Sequence, residues 1–203
     1  MVQGNMPEMS EKKAVRAEAL AARRTMPADE RRAADQALVD AAVELVRGRS
    51  IVAAYAPMPG EPGGSALLDA LAATVPTVLL PVLRPDRDLD WTGYEGPDSL
   101  GGSGGLLREP GGPRLGLDAV TRAQIVLVPA VAVDRAGNRL GRGGGSFDRA
   151  LARVHQGTPV VALLYEGELR ATLPTQAHDR PVTAVLTPSG HHPISRPADA
   201  QPR

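Results

Sequence analysis

The chain has 203 residues, of which 42% are hydrophobic and 23% charged, with equal numbers of basic and acidic side chains and a formal net charge of zero. That is enough apolar material to bury one domain core, and the charge balance excludes the electrostatic footprint of a general nucleic-acid or membrane-surface binder. The absence of cysteine excludes a disulfide framework, a thiolate metal site and a cysteine nucleophile.

The first ten residues carry no apolar run and are expected to be disordered; with no secretory pattern and no stretch near the ~20 apolar residues of a membrane span, a cytoplasmic location is expected. Residues 11–46 are rich in Ala, Leu, Arg and Glu, interrupted at Met26-Pro27-Ala28-Asp29, which predicts two helices joined by a proline turn. The periodicity then changes. IVAAYAP (51–57), TVLLPVL (77–83), IVLVPAVAV (125–133), VVALLY (160–165) and TAVL (183–186) are short runs of Val, Leu and Ile, as expected of strands buried on both faces of a parallel sheet. Pro81 and Pro129 should end ladder pairing in their runs. Helical patterns fall between the runs at 65–73 and 146–154, with a short turn near 117–122, and this alternation predicts a layered α/β domain. Residues 95–116 hold eight glycines and three prolines, a long loop placed to close over a site. One domain over 11–188 is expected, with a disordered tail at 189–203 whose paired histidines, His191 and His192, are exposed rather than metal-bound.

The stretch RLGRGGGSFDR, residues 139–149, is the candidate site's centre. Three consecutive glycines let backbone N–H groups approach a ligand, as a phosphate cradle requires; a mobile loop is the alternative. A Walker A loop is excluded because no lysine follows the glycines, and a G-x-G-x-x-G fingerprint fails at Ser146. The stretch leads instead into the start of a helix, where an anion is favoured and Arg139, Arg142 and Arg149 add charge. Asp148 either holds Mg²⁺ bridging a phosphate or complements the helix dipole. Lys12 and Arg16, at i and i+4, share a helix face that either grips an anion or is solvated. Glu61, beyond the first strand, either hydrogen-bonds a ring N–H or amine or belongs to a turn; the same two readings hold for Asp179, beside His178. No G-x-S-x-G elbow supports covalent hydrolysis. Tyr55, Trp91, Tyr94, Phe147 and Tyr165 are the whole supply of rings for stacking.

Together these residues resemble the 5-formyltetrahydrofolate cyclo-ligase (5,10-methenyltetrahydrofolate synthetase) family. VPAVAVDRAGNRLGRGGGSFDRAL is similar to that family's signature, P-x-x-A-F-D-x-x-G-x-R-L-G-x-G-x-G-Y-Y-D-R. Lys12 to Arg16 resembles its K-x-x-x-R helix, YAPMPGEPGGSALL its strand-plus-glutamate segment, Glu109-Pro110 its E-P pair, and LPTQAHDRPV its L-P-x-x-x-H-D-x-P stretch. The resemblance implies a three-layer α/β/α sandwich with a mostly parallel sheet, like the folds of ribose-phosphate isomerases and CoA transferases. It implies ATP- and Mg²⁺-dependent conversion of 5-formyltetrahydrofolate to 5,10-methenyltetrahydrofolate, releasing ADP and phosphate. By the same resemblance, ATP would be held by Lys12 and Arg16 and by the run Arg139, Leu140, Gly141, Arg142, Gly143, Gly144, Gly145, Ser146, Phe147 and Asp148. Arg142 and Asp148 would be catalytic, Asp148 and Asp179 would bind Mg²⁺, and Glu61, Tyr55 and Phe147 would bind the reduced folate. The expected partner is that small molecule, with no nucleic acid or membrane, in a monomer or homodimer.

The chain departs from the family's pattern at Ser146-Phe147, where the family has Tyr-Tyr, at Val133, where it has Phe, and within Tyr165-Glu166-Gly167-Glu168, where a glutamine is common. Two readings follow: an active cyclo-ligase, or a paralogue that binds nucleotide or a folate-like ligand in a regulatory or salvage role.

Overall fold

Pro27 divides the first part of the chain. Its missing N–H and the restriction it places on Met26 end α1 (Met6–Thr25), and its fixed φ starts α2 (Ala28–Val46). The computed structural model describes residues 6–101, 109–176 and 179–195. In α2, Asp29 and Glu30 complement the dipole in the first turn, and Leu38, Val39, Ala42 and Val46 bury one face. There follow β1 (Ile51–Ala53), α3 (Leu67–Thr74), β2 (Thr77–Leu83), β3 (Leu89–Gly93), the short pair β4 (Leu100–Gly101) and β5 (Glu109–Pro110), and a 3-10 turn at Leu117–Arg122. The rest is β6 (Ile125–Pro129), β7 (Ala132–Asp134), β8 (Arg139–Leu140), α4 (Ser146–Leu151), β9 (Val160–Leu163), β10 (Leu169–Arg170), β11 (Ala184–Thr187) and β12 (Gly190–Pro193).

Seven strands form the central sheet in the order β12-β11-β9-β6-β1-β2-β3. The inner five run parallel, and the antiparallel strands β12 and β3 close the two edges. Because side chains alternate across a strand, each apolar run feeds two layers. Val52, Val78, Leu80, Ile125, Leu127, Val161 and Leu163 join the core under α2 and α3. Ala53, Leu79, Val126, Val128, Ala162 and Leu164 join the opposite core, with Ala119, Val120, Ala150 and Leu151 from the 3-10 turn and α4. Each fully buried Val or Leu contributes about 1.5–3 kcal/mol. The architecture is therefore a three-layer α/β/α sandwich with a mostly parallel sheet: the alternation predicts the layered α/β domain, and the family resemblance implies the three layers. α1 lies elsewhere: Ala19 packs on Val131, Ala132 and Leu140 beside the small sheet β10-β7-β8.

Four expectations need correction. The run at 125–133 is two strands, because Pro129 ends β6 and the chain turns to enter the small sheet as β7. Pro81 does not end its strand but pairs with Trp91 inside the β2–β3 ladder. Leu79 accepts from Ala54 on the β1 side and Val78 from Tyr94 on the β3 side, so Pro81 aims its missing N–H toward β1, beyond the last residue of that strand. The last helix stops at Leu151 rather than 154. The chain ends are shorter than expected: α1 begins at Met6, and β12 hydrogen-bonds along β11 from Thr187↔Gly190 to Ala184↔Pro193. In β12, His191 is exposed while His192 Nε2 lies 2.9 Å from Thr187 Oγ1. The rest of both ends, 1–5 and 196–203, and 102–108 of the glycine-rich loop lie outside the described residues.

Arg153, just past α4, ties the β2–β3 turn to this layer through Asp88, with Nη1 to Oδ1 at 3.0 Å and Nη2 to Oδ2 at 2.6 Å. These Arg153 hydrogen bonds hold the Asp88 carboxyl below its ordinary value. A carboxylate depressed in the folded state supplies stability that is present above its unfolded pKa and lost as pH falls through the folded one. Asp88→Asn is therefore expected to lose about 1–3 kcal/mol near neutrality, with the deficit shrinking below about pH 4. Thermal unfolding across that range checks it; a deficit independent of pH would show that the ion pair is not its source.

Candidate functional site

From β1 the chain moves outward through β2 and β3, then returns to lay β6 against the other side of β1 and continues outward to β9 and β11. The order reverses between β1 and β6, and the crevice beyond their carboxyl ends is where such sheets bind ligands. A cavity of about 380 Å³ lies there, lined by Tyr55, Met58 and Glu61 from the loop after β1 and by Ala130 and Val131 after β6. α1 contributes Lys12 and Arg16, the β8–α4 segment contributes Arg139 to Asp148, and Gln176 and Asp179 enter from the segment before β11. All the residues expected to hold nucleotide, substrate or metal line this one cavity, although they come from separate parts of the chain.

The glycine run forms an open turn. Gly143 and Gly145 have φ of +106° and +69°, values that side chains rarely tolerate, and Gly145 stands directly before the first residue of α4. Around this turn, three cations each meet a carboxylate. Lys12 Nζ is 2.7 Å from Asp179 Oδ2, Arg139 Nη2 is 2.8 Å from Asp148 Oδ1, and Arg142 Nε is 2.8 Å from Glu61 Oε1. Arg16 donates through Nε to the Gly141 carbonyl at 2.8 Å. The like charges at Lys12 and Arg16 are thus satisfied by groups across the cavity rather than by solvent. Asp148 does more than complement a helix dipole, since its Oδ1 also accepts the Arg180 N–H at 3.1 Å. Glu61 and Asp179 each accept a local backbone N–H, from Met58 and Gln176, as the turn reading expects, and both also line the cavity.

Of the five aromatics, Tyr55 and Phe147 line the cavity. Phe147 lies under the Arg139 guanidinium, 6.0 Å from its carbon. Tyr55 is buried and donates to the Pro62 carbonyl at 2.7 Å; burial, followed by the nearby Glu61 charge, raises its phenol well above the ordinary value. It is a neutral, fixed part of the wall. Pro110 of the E-P pair lines the cavity as well, and His178 lies outside the described residues.

Behind the wall is a buried network that sequence reasoning missed. Arg23 of α1 grips Glu168 through Nε and Nη2 at 2.6 and 2.8 Å, and Nη2 also donates to the cavity-lining Ala130 carbonyl at 2.6 Å. Glu168 Oε2 accepts the Tyr165 N–H, and the Tyr165 hydroxyl donates to Asp35 Oδ1 while lying 3.3 Å from the Glu61 carbonyl. Burial and then the bond to Asp35 raise the Tyr165 phenol, and burial raises the Asp35 carboxyl against the pull of Tyr165, Gly63 and Arg31. The network therefore braces both walls of the crevice, at Ala130 and at Glu61.

Among the described residues, no group of three or more His, Cys, Asp or Glu side chains could hold a metal ion alone. Two carboxylates, Asp148 and Asp179, do line the cavity, and Mg²⁺ takes about one or two when phosphate oxygens and water complete its shell.

Fold and comparison together define an α/β enzyme of the ligase class. The model of the 5-formyltetrahydrofolate cyclo-ligase family matches residues 8–188, and the chain belongs to that family. A 5-formyltetrahydrofolate cyclo-ligase of Mycolicibacterium smegmatis is 39% identical over 178 residues, covering 81% of this chain and 91% of the relative. One from Escherichia coli (strain K12) is 32% identical over 141 residues, covering 68% and 78%. Among solved structures, the 5,10-methenyltetrahydrofolate synthetase of Aquifex aeolicus superposes with a TM-score of 0.73 at 25% identity, covering 95% of this chain and 97% of that one.

Proposed function

We propose that this chain converts 5-formyltetrahydrofolate to 5,10-methenyltetrahydrofolate, consuming ATP and releasing ADP and phosphate. What carries this is the convergence on one cavity of a glycine turn, four cationic side chains and three carboxylates, in a chain of this family. An N-formyl group is an amide, and its carbon is too unreactive for the folate N10 to attack while the oxygen leaves as hydroxide. Transfer of the ATP γ-phosphoryl group to the formyl oxygen releases ADP and makes that oxygen part of a good leaving group. N10 then attacks the formyl carbon and gives up its proton, the C–O bond breaks, phosphate departs and the five-membered ring is closed.

Phosphoryl transfer leaves the protein little covalent work, so catalysis rests on positioning and charge neutralisation. The backbone N–H groups of Gly143 to Gly145 and the Arg142 guanidinium cradle the β- and γ-phosphates, and Lys12 and Arg16 hold the nucleotide from α1. Mg²⁺ bound by Asp148 and Asp179 would neutralise phosphate charge. Glu61 accepts a hydrogen bond from the folate, between the apolar surfaces of Tyr55 and Phe147.

The test is the long-wavelength absorbance of the methenyl product, with protein, 5-formyltetrahydrofolate, Mg²⁺ and ATP, against controls without ATP and without metal. Product that needs both is the expected result. The second reading, a paralogue that binds without turnover, draws on Ser146-Phe147 in place of the family's tyrosine pair. Absence of product from folded, ATP-binding protein would decide for it.

A further inference from the structure

The Arg142–Glu61 ion pair joins two groups that the proposed function assigns to different ligands, the arginine to the nucleotide phosphates and the glutamate to the folate. We infer that this pair couples the two binding events, so that nucleotide and reduced folate each tighten the other's binding. The inference rests on the proposed function and adds to it an order of charge exchange within the site.

The two partners are unlike in their surroundings. Glu61 is 6% exposed and fixed, with Oε2 accepting the Met58 N–H at 3.0 Å, whereas the Arg142 side chain is 45% exposed and can swing toward the glycine turn that it borders. If phosphate draws Arg142 away, Glu61 remains as a buried carboxylate without its cation, which is strongly unfavourable. A ligand that brings an N–H or amine donor to Glu61 removes that penalty. Conversely, a folate that takes over Glu61 releases Arg142 for phosphate. Each ligand thus offsets the rupture that the other requires, and linkage makes the effect reciprocal. Before either ligand arrives, the pair keeps a buried negative charge and a phosphate-seeking positive one mutually satisfied.

The experiment is a titration of the β,γ-imido analogue of ATP, with Mg²⁺, by isothermal calorimetry, with and without saturating 5-formyltetrahydrofolate. The parent protein should bind the analogue about 5- to 150-fold more tightly when folate is present. In the absence of folate, Glu61→Gln should tighten analogue binding about two- to fivefold, because Arg142 no longer has a competing partner. The same substitution made in an Arg142→Ala protein should change nothing, which separates release of Arg142 from a general loss of negative charge. Parent affinity indifferent to folate, or an equal effect of Glu61→Gln in both backgrounds, overturns the coupling while leaving the proposed function standing. Failure of the parent to bind the analogue at all, with or without folate, overturns the proposed function and the coupling with it.

Discussion

Replacing Asp148 with asparagine is expected to reduce turnover roughly 10²- to 10³-fold, the range seen when one preorganised electrostatic contact to a reacting group is lost, while the protein still folds. The asparagine amide keeps an oxygen where the Asp148 Oδ1 now accepts from Arg139 and the Arg180 N–H, but it has no charge with which to hold Mg²⁺. Alanine is a poorer choice. It leaves the Arg139 guanidinium, 4% exposed, with the Pro129 carbonyl at 3.4 Å as its remaining hydrogen-bond acceptor among the described residues, and stranding a buried charge costs about 3–5 kcal/mol. Initial rates at saturating ATP, paired with thermal unfolding of the same samples, separate the two effects. A parental rate in Asp148→Asn would remove Asp148 from the proposed metal site.

The largest loss of stability should come from a residue outside the cavity. Glu168→Ala is expected to destabilise the fold by about 3–5 kcal/mol, a large share of the ~5–15 kcal/mol that holds most domains together. The reason is Arg23, itself 4% exposed, which would lose both bonds to Glu168 while its Nη1 has no acceptor even now among the described residues. Replacing both members of the pair, as Arg23→Met with Glu168→Leu, should recover much of the loss, since an apolar pair of similar volume avoids burying an unpaired charge. Urea unfolding of the single and double variants is the measurement. A double variant no more stable than the single would mean that the network matters for shape at Ala130 and Tyr165 rather than for charge.

Comparison of these two residues explains what a sequence reveals. Asp148 sits in a run of glycines and arginines whose composition already points to a ligand, so its place on the cavity wall is legible. Glu168 pairs with a residue 145 positions away, and nothing local marks Arg23 among the other arginines of α1. Strand content behaves similarly. The inner parallel strands announce themselves as continuous apolar runs, but β3 reads LDWTG, with polar residues among its apolar ones, and takes its identity from pairing with β2. β7 is hidden in the run that contains β6, because sequence alone does not say which way a chain turns after Pro129. Pro81 misleads for a related reason: its tolerance depends on where the neighbouring strand stops, which is a property of the sheet. The turn-or-ligand alternatives at Glu61 and Asp179 do not separate in the sequence, because a residue that accepts a local backbone N–H can line the cavity as well.

Lys12 and Asp179 also set a schedule. They lie 167 residues apart, so during synthesis the cation leaves the ribosome long before its carboxylate exists. Until residues 141–179 are made, α1 lacks in turn the Gly141 carbonyl, Glu168 and Asp179 to grip, and contacts so distant along the chain form late. A nascent chain that stops after α4 could already hold the glycine turn, yet it would lack the carboxylates that clasp α1 over it. Under the proposed function, phosphate-binding competence should therefore appear only once Asp179 has been made, and a polypeptide cut short before Asp179 should be a vacant shell rather than a weakened enzyme.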